Sequence, residues 1–480
     1  MEHKQEKYLI RLTQVELQHV KNVERGHLDF KSPQGLNSAS LLGLYGQNGS
    51  GKTALIEAIN LLKDVMSGAS LSREYKDFIS KGREFAQLSF GFEIQTKSFK
   101  FNVFYAFKVR HVQPTVEELK DQPDALSRIE IYDESFKYTS EGAAVERVTE
   151  VINTANAEPF GPSTKFVELV GSDEAVKTKL LIAKGLTSRL SRSFVFSGEI
   201  LKAVGAEAER RLLSAPSRHL SHDVTFMLAA LKIYAQRSLF VVDTSDLNLP
   251  SFNHLELYLE NKTLENFPPL SRAIFSLDAP TVIKEEVVES LKSTVHGMNV
   301  VLSQIIPGME IGFVCSESRL MDDGSKGVNV ELTSKREGRE IPLRCESEGI
   351  KKIISVLQLL IWVFNRPNVT VAIDELDSGI FEYLLGELLN IISEQGRGQL
   401  IFTSHNLRPL ETINKEFIAF TTTDVNDRYT RFKGVKVTNN LRDFYFRKIL
   451  LGSDQENIYN ATSNAEIAFA MRVASGDFNV

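Results

Sequence analysis

The alternation of apolar and polar positions predicts an antiparallel β region near the start of the chain. Two alternating segments, YLIRLTQVEL and HLDF, fall within residues 8–30, and Gly26 in the turn between them can adopt a positive φ. Two longer segments with the same period, FAQLSFGFEI and KFNVFYAFKV, come after the first predicted helix, and IEIYDESFKYT continues them. These later segments predict a β region inserted behind that helix.

Helical spacing dominates the middle of the chain. Helices are predicted over residues 175–213, 224–236 and 283–306, with the strand SLFVVD after the second of them. A strand pair, VNVELTSKREGREIPL, is expected to turn at Glu337-Gly338. The first helical segment carries several arginines, and a solvated face explains them better than a groove for a polyanion. They are Arg189, Arg192, Arg210 and Arg211.

The stretch LLGLYGQNGSGKTALIEAINLLK combines a buried strand, a glycine-rich loop and an amphipathic helix, and the loop fits GxxxxGK[ST] at every fixed position. Glycines let backbone N–H groups curl around phosphate, and the helix N-terminus adds positive potential. Lys52 can reach the β- and γ-phosphates, and the Thr53 hydroxyl can ligate Mg²⁺. A glycine-rich turn without ligand is the weaker alternative, because a strand and a helix flank the loop. ATP or GTP binding is predicted for Gly46, Gln47, Asn48, Gly49, Ser50, Gly51, Lys52 and Thr53.

A second chemical cluster lies in VTVAIDELDSG, where a β-branched and apolar run ends in two acids. This is typical of a central parallel strand that emerges at the ligand edge of an α/β sheet, and it predicts a Walker B strand. Asp374 is placed to hold Mg²⁺, and Glu375 to orient or deprotonate the water that attacks the γ-phosphate. A strand-terminal acid pair alone would be weak evidence, and the phosphate loop strengthens it.

The helix FEYLLGELLNIISEQG and the strand QLIFTSH follow, and the strand ends in His405. A histidine here can be a satisfied core residue. The position beside the Walker B strand favours a switch residue that touches the γ-phosphate, so His405 joins Glu375 as a predicted catalytic residue.

The segment RCESEGIKKIISVLQLLIWVF has Ser347 and Gly349 at the start of a long apolar helix. The order of phosphate loop, Ser-x-Gly helix start, Walker B acids and terminal His resembles the ABC-type ATPases of the SMC, RecF, Rad and OLD group. The resemblance implies that Ser347 and Gly349 form the signature motif, although Glu346-Ser347-Glu348-Gly349-Ile350 departs from the LSGGQ of transporters. It also implies that ATP lies between two chains.

Two further assignments come from the same resemblance. Asp377 looks like the D-loop residue that crosses the dimer interface, and Gln87 is a candidate for the Q-loop glutamine. A softer resemblance, carried by DELDSGIFEYLLGELL and the C-terminal NLRDFYFRKILLGSDQENIYNATSNAEIAFAMR, is to the stand-alone ATPase subunits of two-gene bacterial anti-phage systems, first PARIS and then Septu. It implies a homo-oligomer, a phage-encoded trigger and a separately encoded, Toprim-like nuclease effector.

The predicted fold is α/β: an ABC-type P-loop ATPase domain formed from both chain ends, with an inserted antiparallel β and helical region and a small C-terminal appendage. The expected boundaries are 1–65 for the core with Walker A, 66–335 for the insertion, 336–425 for the core with the signature, Walker B, D-loop and switch His, and 426–480 for the appendage. The appendage contains aromatic residues such as Tyr445 that forty residues cannot bury alone. It is expected to dock on its own core, on a second copy or on an effector.

Composition limits the remaining choices. The chain has 480 residues, a formal charge of -6 and 42% hydrophobic residues, which is ordinary for a globular protein and argues against a generally basic surface. Cys315 and Cys345 suggest neither a disulfide framework nor a zinc site, and no stretch has the length of a membrane helix, so a cytoplasmic location is expected.

Three functions compete at this point. The first is an ATP- and Mg²⁺-dependent sensor and scaffold of an anti-phage system that controls a nuclease. The second is a RecF- or SMC-like repair ATPase that binds duplex DNA as an ATP-closed dimer. The third, a transporter motor, is disfavoured by the atypical signature and the large insertion. No DxD follows His405, so nuclease chemistry is expected from another chain.

Overall fold

The structure is a computed structural model. It describes residues 8–30, 38–114, 126–140, 148–155, 158–214, 219–243, 254–260, 270–321, 323–432, 440–451, 458–459 and 462–474.

The strands are β1 (Leu9–Val20), β2 (Val23–Asp29), β3 (Ser40–Tyr45), β4 (Phe85–Gln95), β5 (Lys100–Val112), β6 (Arg128–Ser140), β7 (Thr149–Asn153), β8 (Leu239–Val242), β9 (His254–Glu260), β10 (Leu270–Ser276), β11 (Thr281–Lys284), β12 (Met309–Leu320), β13 (Lys326–Arg336), β14 (Arg339–Pro342), β15 (Thr370–Ile373), β16 (Gln399–Thr403), β17 (Ile418–Thr421) and β18 (Tyr429–Thr430). The helices are α1 (Lys52–Ser67), α2 (Ser163–Val170), α3 (Glu174–Arg189), α4 (Gly198–Ser214), α5 (Leu220–Arg237), α6 (Val288–Ile305), α7 (Glu348–Asn365), α8 (Glu382–Gln395), α9 (Pro409–Thr412), α10 (Leu441–Leu451) and α11 (Asn464–Ala474).

The central sheet has the strand order β18-β17-β3-β16-β15-β8. Strands β17, β3, β16, β15 and β8 run parallel, and β18 is antiparallel to β17. Every residue of β3, β15 and β16 is buried, as expected for parallel strands covered on both faces. The carboxyl ends of these strands meet at one edge, which is where an open α/β sheet binds its ligand.

A second sheet is antiparallel, in the order β2-β1-β4-β5-β6-β7. The predicted strands near the N-terminus and after the first helix therefore form one sheet, with Leu17 of β1 opposite Leu88 of β4. This sheet crosses the boundary expected at residues 65 and 66. β8 also lies within the expected insertion, yet it pairs with β15 of the central sheet. The two pairings tie the segment 66–335 closely to the core.

A buried glutamine joins the two sheets. The Gln399 side chain accepts a hydrogen bond from the Leu12 backbone N–H at 3.1 Å and donates one to the Leu12 carbonyl at 2.8 Å. Gln358 makes the same pair of bonds to the backbone of Tyr258 in β9, at 2.9 and 2.6 Å. Each amide satisfies one donor and one acceptor that burial would otherwise leave unpaired.

The structure confirms most predicted elements and moves some of their limits. The turn expected at Gly26 is wrong, because Gly26 lies within β2 opposite Leu17 and the chain turns at Lys21, which has a φ of 50°. The helical stretch 175–213 is two helices, α3 and α4, which are separated by residues 190–197. The predicted helix over 283–306 begins only at Val288, since β11 occupies residues 281–284. The hairpin turns at Glu337 and Gly338 as predicted, and both residues have positive φ angles, 51° and 78°.

The C-terminal segment divides into two parts. Helix α10 packs on the core, where the Tyr445 ring stacks on Phe420 of β17 with centroids 5.0 Å apart. The Phe420 ring also stacks on Phe432 at 4.1 Å. Every residue of α11, in contrast, is exposed, including Ile467 and Met471. The expected docking on the chain's own core is thus found for α10.

Replacing Tyr445 by Ala should destabilise the chain by about 2–4 kcal/mol, because it removes a buried ring from the stack on Phe420. Phe446 lies on the same helix and is 41% exposed, so Phe446→Ala is the matched control and should cost less than about 1 kcal/mol. Denaturant unfolding of both variants measures the difference. Equal losses of unfolding free energy in the two variants would show that Tyr445 does not hold α10 on the core.

Candidate nucleotide-binding site

The predicted phosphate loop connects β3 to α1 and has the backbone shape that its glycines allow. Gly49 and Gly51 have φ angles of 72° and 92°, which favour glycine. A Cβ at Gly46 would lie 1.7 Å from the Thr421 hydroxyl oxygen, so any side chain there would clash. The loop therefore needs glycine at these positions for conformational and steric reasons.

Polar residues outside the loop hold it in place. The Thr421 hydroxyl donates to Ser50 Oγ at 2.6 Å, and the Tyr429 hydroxyl donates to the Gly51 carbonyl at 2.8 Å. From the turn between β1 and β2, the Asn22 side-chain amide donates to the Gly49 carbonyl. Both sheets thus brace the loop, and these contacts preorganise its N–H groups.

Lys52 points into the loop. Its ammonium group donates to the carbonyls of Gly46 at 2.8 Å and Gln47 at 3.1 Å. Burial lowers the pKa of Lys52 below its ordinary value, while the carboxylates of the Walker B segment, Asp374 foremost, oppose that shift. A phosphate at the N-terminus of α1 would give this ammonium stronger partners than two neutral carbonyls.

The two predicted Walker B acids follow β15 directly. The buried carboxylate of Asp374 accepts a hydrogen bond from the Thr403 hydroxyl of β16. Thr403 Oγ1 in turn accepts the backbone N–H of Glu375 at 2.8 Å. Glu375 has a φ of 48°, a left-handed conformation that costs a non-glycine residue of the order of 1–3 kcal/mol. One threonine therefore fixes the first acid and supports the strained backbone of the second.

Asp377 and His405 meet within the same chain. Asp377 Oδ2 accepts the backbone N–H groups of His405 at 3.0 Å and Asn406 at 2.8 Å. The D-loop candidate thus holds the segment that carries the switch candidate. Its predicted contact across a dimer interface stays a prediction.

One cavity of about 680 Å³ collects most of the predicted site residues. It is lined by Lys21, Asn22, Asn48, Gly49, Ser50, Gly51, Lys52, Thr53, Ala54, Asp374, Glu375, Asp377, Ser378 and His405. The phosphate loop faces the acids across this space. The arrangement can hold a polyphosphate at the loop with a carboxylate beside its terminal group.

The residues proposed for Mg²⁺, Thr53 and Asp374, line this same cavity. In the described part of the chain, no three His, Cys, Asp or Glu side chains form a metal-binding cluster. This donor set suits Mg²⁺, which usually takes one or two protein ligands, phosphate oxygens and several waters. The buried Asp374 would supply the carboxylate and Thr53 a hydroxyl.

The predicted signature residues, Ser347 and Gly349, lie outside this cavity. Ser347 is the exposed N-cap of α7, and its hydroxyl accepts the Ile350 N–H at 3.4 Å. A Cβ at Gly349 would lie 2.2 Å from the Gly379 carbonyl oxygen, so the start of α7 packs backbone to backbone on the D-loop. Neither Ser347 nor Gly349 lines the cavity described above. Gln87, the Q-loop candidate, is in β4 and does not line it either.

Two residues that shape this site, Asn22 and Thr403, are not part of the predicted site. Asn22 gives no local signal, because its role depends on a turn that comes close to the loop only in three dimensions. Thr403 could have been found, since a hydroxyl at the end of the apolar strand QLIFT, beside a Walker B strand, needs a polar partner.

Comparison with known proteins adds a partial family match. Residues 41–145 match a family described as "AAA domain, putative AbiEii toxin, Type IV TA system". No curated protein matches the chain in a sequence search.

Among solved structures, the chain is similar to SMC head domains. The Smc head domain of Pyrococcus furiosus with an extended coiled coil, bound to the C-terminal domain of ScpA, is 12% identical with a TM-score of 0.38, and the match covers 88% of this chain and 96% of that one. The SMC head domain of Thermotoga maritima is 14% identical with a TM-score of 0.35, covering 88% and 99%. A Pyrococcus yayanosii Smc head with a coiled coil and joint is 12% identical with a TM-score of 0.38, covering 92% and 100%.

The chain's own geometry defines its class. A phosphate loop follows β3, and two acids follow the parallel strand β15. In the sheet, β16 lies between β3 and β15. A Ser-x-Gly sequence stands at the start of α7, the helix that precedes β15 in the chain. This is the ABC-type P-loop ATPase fold.

In the described residues, no helix has the length and apolar character needed to cross a membrane.

Lys52→Ala should weaken ATP binding by at least about a hundredfold, because it removes the cation that faces the phosphates. Glu375→Gln should leave binding close to that of the parent and lower the hydrolysis rate by about 10²- to 10⁴-fold, because the amide cannot take a proton from water. Nucleotide titration and phosphate release distinguish the two. Equal, undiminished turnover in both variants would contradict the site assignment.

Proposed function

We propose that this chain is an Mg²⁺-dependent ATPase. The observation that carries the proposal is the cavity in which the loop residues Lys52 and Thr53 face Asp374 and Glu375. Lys52 and the N-terminus of α1 would bind the β- and γ-phosphates, and Thr53 and Asp374 would hold Mg²⁺, which when bound would supply charge neutralisation at the transferring phosphoryl group. Glu375 orients and deprotonates the attacking water, and His405 contacts the γ-phosphate.

We further propose that two chains complete each site. Ser347 begins α7 on the surface, outside its own cavity, so the positive end of this helix is available to a nucleotide bound by another chain. Next to the D-loop, Phe381 is 72% exposed and Tyr383 55% exposed. Aromatic side chains of this size are typical of protein interfaces, and their position beside Asp377 suits a dimer contact.

A mixing experiment tests the shared site. Lys52→Ala strongly weakens nucleotide binding, and Ser347→Arg places a bulky cation at the N-terminus of α7, so each variant alone should be nearly inactive. A heterodimer of the two contains one site with both an intact loop and an intact signature, and activity should return. If heterodimers form and activity stays at the level of the separate variants, the sites are complete within one chain.

For the biological role, we propose the sensor and scaffold subunit of a two-gene anti-phage system, most nearly the AriA subunit of PARIS, which controls a separately encoded nuclease. The resemblance of DELDSGIFEYLLGELL and the C-terminal segment supports it. The match of residues 41–145 to a family whose description names a putative toxin of a toxin–antitoxin system also supports a defence role. The exposed apolar residues of α11 offer a surface for a second copy or an effector.

The alternative is a repair ATPase that binds duplex DNA. A DNA-binding protein of this kind requires a basic surface. Two of the four arginines that could form such a surface, Arg210 and Arg211, instead form ion pairs with Glu207, at 2.7 and 2.6 Å. This pairing favours the solvated face over a polyanion groove. The defence role is therefore the first proposal.

Removal of α11 tests the biological proposal. A variant that ends after Ser463 keeps α10 and Tyr445, so it should bind ATP as the full chain does, but it should lose higher-order assembly or capture of the nuclease encoded beside it. Met471→Glu, at a position that is 68% exposed, should reproduce the loss, and Glu466→Gln is the control.

Light scattering and pull-down from co-expressing cells measure both outcomes. Unchanged mass and unchanged recovery of the nuclease would leave α11 without this role. ATP-dependent binding of duplex DNA by the full chain, without any nuclease partner, would favour the repair function instead.

A further inference from the structure

A lysine that the proposed mechanism does not use lies beside the acids of the site. Lys352 is in the second turn of α7 and is completely buried. Its ammonium nitrogen makes no hydrogen bond to any residue that the structure describes. A buried cation without hydrogen bonds is costly, and nearby anions offset part of that cost.

Lys352 lies three residues after Gly349, so it is on the face of α7 that packs on Gly379 and on the segment that carries the Walker B carboxylates. Glu375 has the strongest electrostatic effect on the ammonium group, followed by Asp374 and Asp377. Burial acts against them and is the larger influence, so the pKa of Lys352 lies below the ordinary lysine value. The same three acids also act on Lys52, from the phosphate-loop side.

The neighbouring lysine has a different environment. Lys351 is also largely buried, but its ammonium group donates to Glu348 at 2.7 Å, at the exposed start of α7. Two consecutive lysines on one helix thus have separate partners. Lys351 stabilises the first turn of its own helix, and Lys352 lies on a different side of α7, which packs on β15.

We propose that Lys352 is a positioning residue for Glu375. From α7 it attracts the Glu375 carboxylate and, together with the Thr403 contact to the Glu375 backbone, holds this carboxylate in the orientation required to take a proton from water. The inference rests on the proposed ATPase function, but the electrostatic interaction between Lys352 and Glu375 can be tested in the chain without nucleotide.

The first test uses thermal unfolding without nucleotide. Glu375→Gln should lower the melting temperature by more than about 2 °C, because it removes the carboxylate that offsets the Lys352 charge most and leaves only Asp374 and Asp377. Lys352→Met should leave the melting temperature unchanged or raise it, and Glu375→Gln added to Lys352→Met should then have no destabilising effect. If the melting-temperature shifts of the two single substitutions sum to the shift of the double substitution, the proposal is overturned, because substitutions at groups that do not interact have additive effects.

Two controls keep this cycle decisive. Lys351→Met in place of Lys352→Met should leave the effect of Glu375→Gln intact. Should Lys352→Met fail to fold, Lys352→Arg replaces it, and the retained charge should preserve the destabilisation by Glu375→Gln. Absence of that destabilisation in both the parent and the arginine variant would overturn the pairing.

The second test is kinetic. Lys352→Met should lower kcat by about tenfold or more, since a displaced base loses its alignment with water, while KM for ATP stays within about twofold of the parent value. In the Glu375→Gln background it should have no further effect, and Lys351→Met should retain the parent kcat. An unchanged kcat in Lys352→Met would overturn the positioning role. A parent chain that binds but does not hydrolyse ATP would refute the proposed function instead, and the thermal cycle would still decide whether the two groups interact.

Discussion

The hydroxyl of Thr403 fixes the part of the molecule on which the proposed chemistry depends. It donates to Asp374 and accepts the backbone N–H of Glu375. The first bond orients the acid proposed for Mg²⁺, and the second supports a left-handed residue that would otherwise relax towards extended backbone. Because Thr403 ends β16, which lies between β15 and β3, the geometry of the acids is tied to the strand that leads into the phosphate loop.

The motifs and most of the elements around them could be predicted from the sequence, because their signals are local. The phosphate loop, the Walker B run and the hairpin at Glu337-Gly338 depend on residues within a few positions of one another. The joining of β1 to β4, the parallel pairing of β8 with β15 and the amide bridges of Gln399 could not be predicted. Each depends on segments far apart in the chain, and a single sequence gives no local signal for how such segments pair.

The same distinction holds for the site residues. Lys52, Asp374 and Glu375 were predicted because a motif fixes their chemistry, and the structure brings them to one cavity. The resemblance predicts that Asp377 crosses a dimer interface, and the structure shows that it accepts backbone hydrogen bonds from His405 and Asn406 of its own chain. Lys352 carries no sequence signal, since a lysine in an amphipathic helix is normally solvated. Its significance appears only when burial and the neighbouring acids are known.

Helix α7 carries both the proposed signature residue Ser347 and the proposed positioning residue Lys352. Ser347 caps its first turn, and Lys352 lies five residues later, about 7.5 Å along the axis. A helix moves nearly as a rigid body, and the contact of Gly349 with Gly379 ties its start to the D-loop. If a nucleotide held by a second chain draws the N-terminus of α7 towards it, Lys352 must move relative to Glu375. Assembly of one site would then adjust the base of the other, which gives the two sites of a dimer a physical reason to act together.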